Sequence, residues 1–107
     1  MTLRQEKLNA ELTKIIAAFV REEIGISPLV SVTRVDVARG LKSAVARITV
    51  FPEKDEGAAL VLLEKKRGAL GRYLAAHTRM KYIPAVLFEI DHGEENRRRI
   101  EELLKKI

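Results

Sequence analysis

The chain has 107 residues, 47% apolar and 33% charged, with 20 Lys and Arg against 15 Asp and Glu for a formal net charge of +5. This balance excludes a disordered chain and predicts one domain with a modest core. The absence of cysteine excludes disulfides, thiolate zinc sites and cysteine nucleophiles, and the basic excess makes a polyanion the partner to look for.

From Arg4 to Ile24, apolar Leu8, Leu12, Ile15, Ile16, Phe19, Val20 and Ile24 recur at helical spacing. This predicts an amphipathic helix, with Gly25 as a left-handed stop and Ser27-Pro28 preventing resumption. Lys7, Lys14 and Arg21 repeat on its outward side, but Glu11, Glu22 and Glu23 dilute them into a mixed solvated face. The segment Met1 to Lys7 is charged and has no apolar h-region, so it does not read as a signal peptide. No apolar run exceeds the six residues of Ala58 to Leu63, which is too short for a bilayer. A cytoplasmic protein without a membrane partner is expected.

Val30 to Ala38 is β-branched and reads as a strand whose alternation slips, Val30 and Val32 being out of phase with Val35 and Val37. Either a bulge near Thr33-Arg34 or burial of both faces at one end would explain the slip. Arg39-Gly40-Leu41-Lys42 is a turn into a second strand from Ser43 to Phe51, which completes a hairpin. Pro52 ends that strand, and Glu53 to Gly57 reads as a charged loop.

Ala58 to Glu64 opens a helix centred on Ala59 and Leu63, and a straight continuation would carry Lys66 into the core. A buried ammonium is costly, so a kink is predicted at Lys66–Gly68. A second helical segment then runs from Ala69 to Arg79. Six basic residues and no acidic ones lie between Lys65 and Lys81. At about 100° per residue, Lys65, Gly68, Arg72, Ala75, Ala76 and Arg79 share one side, while Leu63, Leu70, Tyr73, Leu74 and His77 share the other. Gly68 and Gly71 stand in Gly-x-x-Gly spacing, a break signal in a helical pattern. A cationic face with residues too small to block a backbone suits a phosphate chain. The candidate RNA-binding residues are Lys65, Lys66, Arg67, Gly68, Gly71, Arg72, Arg79 and Lys81.

Ile83 to Ile90 reads as a third strand, with Pro84 confined to its start or to an edge. Asp91 and Glu94 have capping-box spacing before a last helix carrying Ile100, Leu103, Leu104 and Ile107. His77 reads as packed and His92 as incidental, and two histidines without cysteine predict no metal site. Glu94-Glu95 and Glu101-Glu102 read as helix-dipole and surface residues rather than catalytic acids. The three side chains of Arg97-Arg98-Arg99 point about 100° apart, so they cannot all face one ligand. No Walker, Rossmann or nucleophile motif is present.

The order α-β-β-α-kink-α-β-α, with a basic glycine-containing break, resembles the type II KH arrangement. More specifically, the chain resembles the ribosome-binding factor A family over nearly its whole length. The resemblance rests on Val32-Thr33-Arg34-Val35-Asp36-Val37 followed by a short turn and Ala44-Val45-Ala46-Arg47-Ile48-Thr49-Val50. It rests also on Arg79-Met80-Lys81-Tyr82-Ile83-Pro84, Phe88-Glu89-Ile90-Asp91 and Arg99-Ile100-Glu101-Glu102-Leu103-Leu104. The family's Ala-x-Gly kink corresponds here to Lys66-Arg67-Gly68, and Gly71 restores a Gly-x-x-Gly spacing the family normally lacks.

The resemblance implies one KH-like α+β domain over residues 1–107, a three-stranded sheet with helices packed on one face. It further implies a monomeric, non-enzymatic protein, with neither cofactor nor small-molecule substrate. Such a protein binds the immature small ribosomal subunit and its rRNA near the decoding region. It assists small-subunit rRNA processing and supports growth in the cold. A generic KH-like module for single-stranded RNA or DNA is the alternative.

Overall fold

Asn9, Leu12, Ile16, Phe19 and Val20 fall on one stripe of a helix and are its buried residues. In the computed structural model, which describes residues 3–93 and 103–104, that helix is α1 (Leu3–Ile24). Gly25 ends it at φ +78°, its N–H donating to the Arg21 carbonyl at 3.0 Å. This is the left-handed stop expected of a glycine at that position.

The hairpin follows as β1 (Leu29–Val37) and β2 (Ser43–Phe51), antiparallel, with a register shift between Val32 and Arg34. Thr33 is therefore the extra residue of a bulge, which returns Val35 and Val37 to the face that already holds Val30 and Val32. The bulge also has a use. Thr33 donates its hydroxyl to Asp91 Oδ2 at 2.6 Å, with the Arg47 carbonyl 3.1 Å away as an alternative acceptor. The Thr33 hydroxyl, then the Gly93 N–H on Oδ1 at 2.9 Å, hold the Asp91 carboxyl below the usual carboxylate range. Glu94, the predicted last helix and Arg97-Arg98-Arg99 lie outside the described residues, apart from Leu103 and Leu104.

The third strand, β3 (Ala85–Ile90), pairs parallel to β2, so the sheet order is β1-β2-β3. Parallel pairing needs a long crossover. A 3₁₀ turn at Glu53–Asp55, α2 (Glu56–Lys65) and α3 (Arg67–His77) supply it. Three predicted boundaries need correction. The expected charged loop at 53–57 is instead the 3₁₀ turn and the first turn of α2. The second helical segment runs from Arg67 to His77 rather than from Ala69 to Arg79. Thr78 closes it, its N–H and hydroxyl both donating to the Leu74 carbonyl at 2.9 and 2.8 Å. Finally, β3 starts at Ala85 rather than Ile83, since Pro84 has no N–H for the ladder.

One sheet face, with Val35, Ala46, Ile48 and Val86, packs under Leu12, Ile16, Ala59, Leu63, Leu70 and Leu74 of the helices. Among the described residues no helix covers the other face, where Leu29, Phe51 and Leu87 are exposed. There Arg34 and Arg47 stand directly opposite each other, a destabilising pairing of like charges. Asp36 offsets it, 2.8 Å from Arg34 and 3.9 Å from Arg47, as does Glu89, 3.3 Å from Arg47. The outer edge of β1 is covered by α1. Asn9 Oδ1 accepts from the Val37 N–H at 2.9 Å, and Thr13 Oγ1 accepts from the Val35 N–H at 3.1 Å.

Candidate nucleic-acid interface

The crossover breaks at Lys66, whose φ of −98° and ψ of 11° end α2 and precede α3. Its N–H still reaches the Leu63 carbonyl at 3.1 Å, while its own carbonyl accepts from the Leu70 N–H at 2.9 Å. Burial of a straight-helix Lys66 was the reason to expect a kink, and the break relieves it. The ammonium leaves the core and meets Glu23 of α1 at 3.1 Å. The glycines, however, are not the junction. Both Gly68 and Gly71 lie inside α3, past the break.

Their role is to clear a surface. Gly68, Gly71, Arg72 and Ala75 form one wall of a groove of about 630 Å³; residues 83–86 form the other, and Leu70 and Leu74 lie between them. Neither glycine has a positive φ. A Cβ at Gly71 would meet nothing within 4 Å, and one at Gly68 only Arg72 Nη1 at 3.6 Å. The domain itself therefore requires neither glycine, although each weakens a helix by about 1 kcal/mol relative to Ala. Gly68→Ala and Gly71→Ala should each raise stability by about 0.4–1 kcal/mol, read as a higher midpoint in thermal or urea unfolding.

The opposite wall is an edge. Among the described residues β3 pairs only with β2, so its outer side keeps unpaired N–H and C=O groups beside the groove. Arg67 also lines this space at the start of α3, adding its charge to that of Arg72.

The eight predicted residues do not form one straight stripe. Arg67, Gly68, Gly71 and Arg72 converge on the groove. Lys66 is paired with Glu23, and Arg67 with Glu64 at 2.9 Å. Lys65, Arg72, Arg79 and Lys81 are exposed without an acidic partner among the described residues. Because α3 stops at His77, Arg79 sits in a neighbouring hollow with Leu8, Glu11 and His77, and Lys81 reaches a separate pocket beside Tyr82. His77 also departs from expectation. It is exposed rather than packed, stacked on Tyr73 at 3.9 Å with Nδ1 2.8 Å from the Tyr73 carbonyl. Tyr73 in turn packs on Phe19 at 5.4 Å, tying α3 to α1. No helix among the described residues is long and apolar enough to cross a membrane.

Sequence reasoning did not find the second wall of the groove. Pro84 carried a signal, an edge-strand residue following a basic segment, but only the crossover places it opposite α3.

Similarity to known proteins bears on this arrangement. The ribosome-binding factor A family matches residues 4–104. Ribosome-binding factor A of Agathobacter rectalis is 32% identical over 114 residues, covering 99% of this chain and 94% of the relative. The crystal structure of ribosome-binding factor A from Thermus thermophilus superposes with a TM-score of 0.71 at 22% identity, over 80% of this chain and 94% of that one. A Thermus thermophilus homology model of the factor, fitted into a cryo-electron-microscopy map of its 30S complex, gives 0.53 at 21% identity, over 73% and 93%. The fold is thus the KH-like α+β fold of these structures, with a three-stranded mixed sheet.

Proposed function

We propose, for a chain that belongs to the ribosome-binding factor A family, that it binds the immature small ribosomal subunit by holding rRNA in the α3–β3 groove. As a non-enzymatic assembly factor of the cytoplasm, acting as a monomer, it would assist processing of the small-subunit rRNA. The observation that carries this reading is the pair of helical glycines that the domain does not need, beside an Arg72 with no acidic partner among the described residues. A sugar-phosphate chain laid along Gly68 and Gly71 approaches the helix backbone where a side chain would hold it off. Its phosphates meet Arg67 and Arg72, and its bases face Ile83, Ala85 and the edge of β3 that no described strand pairs. Single-stranded RNA offers unstacked bases to such a site, whereas an A-form duplex does not. The 30S complex of the Thermus relative supports the choice of partner.

Phosphate contacts supply affinity but no selectivity, so preference for one subunit rests on groove shape and the rRNA fold. The test is gradient sedimentation with purified small subunits, large subunits and joined ribosomes at two salt concentrations. The protein should travel with free small subunits, most of all immature ones. Recovery with large subunits or joined ribosomes alone overturns the assignment. Binding that spreads over every RNA and disappears at moderate salt leaves only a generic KH-like binder. The Gly68→Ala/Gly71→Ala protein should bind small subunits less well while being more stable, a combination that loss of folding cannot produce.

A further inference from the structure

We infer that a second pocket, on the far side of residue 83 from the groove, accepts one unstacked nucleobase of single-stranded RNA, stacked on Tyr82 with its phosphate at Lys42 and Lys81. The inference rests on RNA being the ligand of the α3–β3 groove. Leu8 of α1, Leu41 of the hairpin turn, Met80 and Ile83 form apolar walls enclosing about 610 Å³. That lies within the roughly 300–1,000 Å³ range of small-ligand sites.

Tyr82 stands at this pocket 75% exposed, an aromatic surface left to water beside apolar walls. The turn adds an independent observation. Its Leu41 N–H donates to the Ala38 carbonyl at 2.9 Å, and Gly40, at φ +89°, occupies the position where a positive φ is free of strain. Leu41 follows at φ +61°, a conformation that costs a branched side chain energy and tends to persist at functional sites. Here it accompanies a leucine in the pocket wall.

Charge chooses the occupant. Lys42 and Lys81 line the pocket, and no acidic residue among the described ones does. Lys81 Nζ already lies 5.5 Å from the Tyr82 ring centroid, within cation–π range, so a base stacked on that ring would bring its phosphate to the same ammonium. Ile83 lines both the groove and this pocket. A strand leaving the groove across Ile83 therefore reaches Tyr82 without meeting an acidic residue among the described lining residues. Aromatic stacking with flanking cations is how single strands are held without regard to sequence.

The experiment compares Tyr82→Ala and Tyr82→Phe in binding a single-stranded RNA oligonucleotide of about ten nucleotides and a duplex of equal length. Tyr82→Ala should weaken single-strand binding about five- to a hundredfold, Tyr82→Phe by less than about twofold, and neither should alter duplex binding. Tyr73 and Tyr82 are the two tyrosines of a chain without tryptophan. In a Tyr73→Phe background, Tyr82 emission should therefore be quenched as the single strand saturates the protein. Unchanged affinity in Tyr82→Ala, or unchanged emission at saturation, overturns the inference. So does a loss of self-association in Tyr82→Ala with oligonucleotide affinity intact, which would assign the pocket to a second copy. Arg72→Glu separates this failure from that of the groove. If Arg72→Glu weakens binding and Tyr82→Ala does not, the pocket falls and the groove stands; if only Tyr82→Ala weakens it, the groove reading falls.

Discussion

Replacing Asn9 by Leu and Thr13 by Val together should destabilise the domain by about 2–5 kcal/mol, because each orphans a backbone donor worth about 1–3 kcal/mol. That is a large share of the roughly 5–15 kcal/mol that holds a domain of this size. As an edge strand, β1 would expose its outer N–H groups to water, but α1 lies over them. Asn9, only 8% exposed, and Thr13 stand in for the missing strand, satisfying Val37 and Val35 at 2.9 and 3.1 Å. Val matches Thr in shape, and Leu matches the branching of Asn with somewhat larger end groups, so loss of hydrogen bonding is the main change. The two side chains lie one turn apart on α1 and serve the same strand, so the single substitutions should not simply add. Urea unfolding provides the readout, as a lower midpoint at constant m-value. A cost below about 1 kcal/mol would show that water reaches this edge and that the two side chains are incidental.

Asn9 also marks how far sequence reasoning reached. It belongs to the buried stripe with Leu12, Ile16 and Phe19, and a polar residue in an apolar stripe is a sign of a buried hydrogen bond. The periodicity located α1 but passed over Asn9, because the donor it serves lies 28 residues away. The bulge at Thr33 was readable because side chains alternate with period two, and an extra residue breaks that period visibly. The kink was readable for a different reason. A buried Lys66 is expensive enough to rule out a straight helix.

What failed was the meaning of the glycines. A glycine that bends a chain and one that bares a helix surface are the same letter, and only the helical backbone at Gly68 and Gly71 separates them. The placement of Arg79 on that helix failed similarly. Projecting it at 100° per residue assumed a helix that Thr78 had already ended, although a threonine able to bond back to Leu74 was visible in the sequence. Half the groove was therefore readable, namely the half on α3. The other wall arises from the crossover that brings residues 83–86 opposite α3, a relation between distant segments that no local pattern contains.

Arg72→Glu combined with Arg79→Glu should weaken binding to small-subunit rRNA about 30-fold or more near 0.1 M salt. Each phosphate contact to a single strand contributes about 0.7 to the slope of log affinity against log salt, so each is worth roughly fivefold at that concentration. Two lost contacts give about 25-fold, and two added negative charges extend the loss. The slope itself should fall by about 1.4. Neither arginine has an acidic partner among the described residues, and both are exposed. The double variant should therefore unfold at the wild-type midpoint, which separates lost contacts from lost structure. Lys66 provides the contrast. Its ammonium is held by Glu23 at 3.1 Å, so Lys66→Gln should leave the salt slope near the wild-type value. The single variants then trace the path of the strand. Arg72 lines the groove, whereas Arg79 lies in the hollow beside Leu8 and Glu11. If Arg79→Glu lowers the slope as much as Arg72→Glu, the RNA also passes the hollow at the end of α3. If only Arg72→Glu does, the strand leaves the groove across Ile83 without entering that hollow. A slope unchanged in both would reduce the cationic face of α3 to a solvated surface.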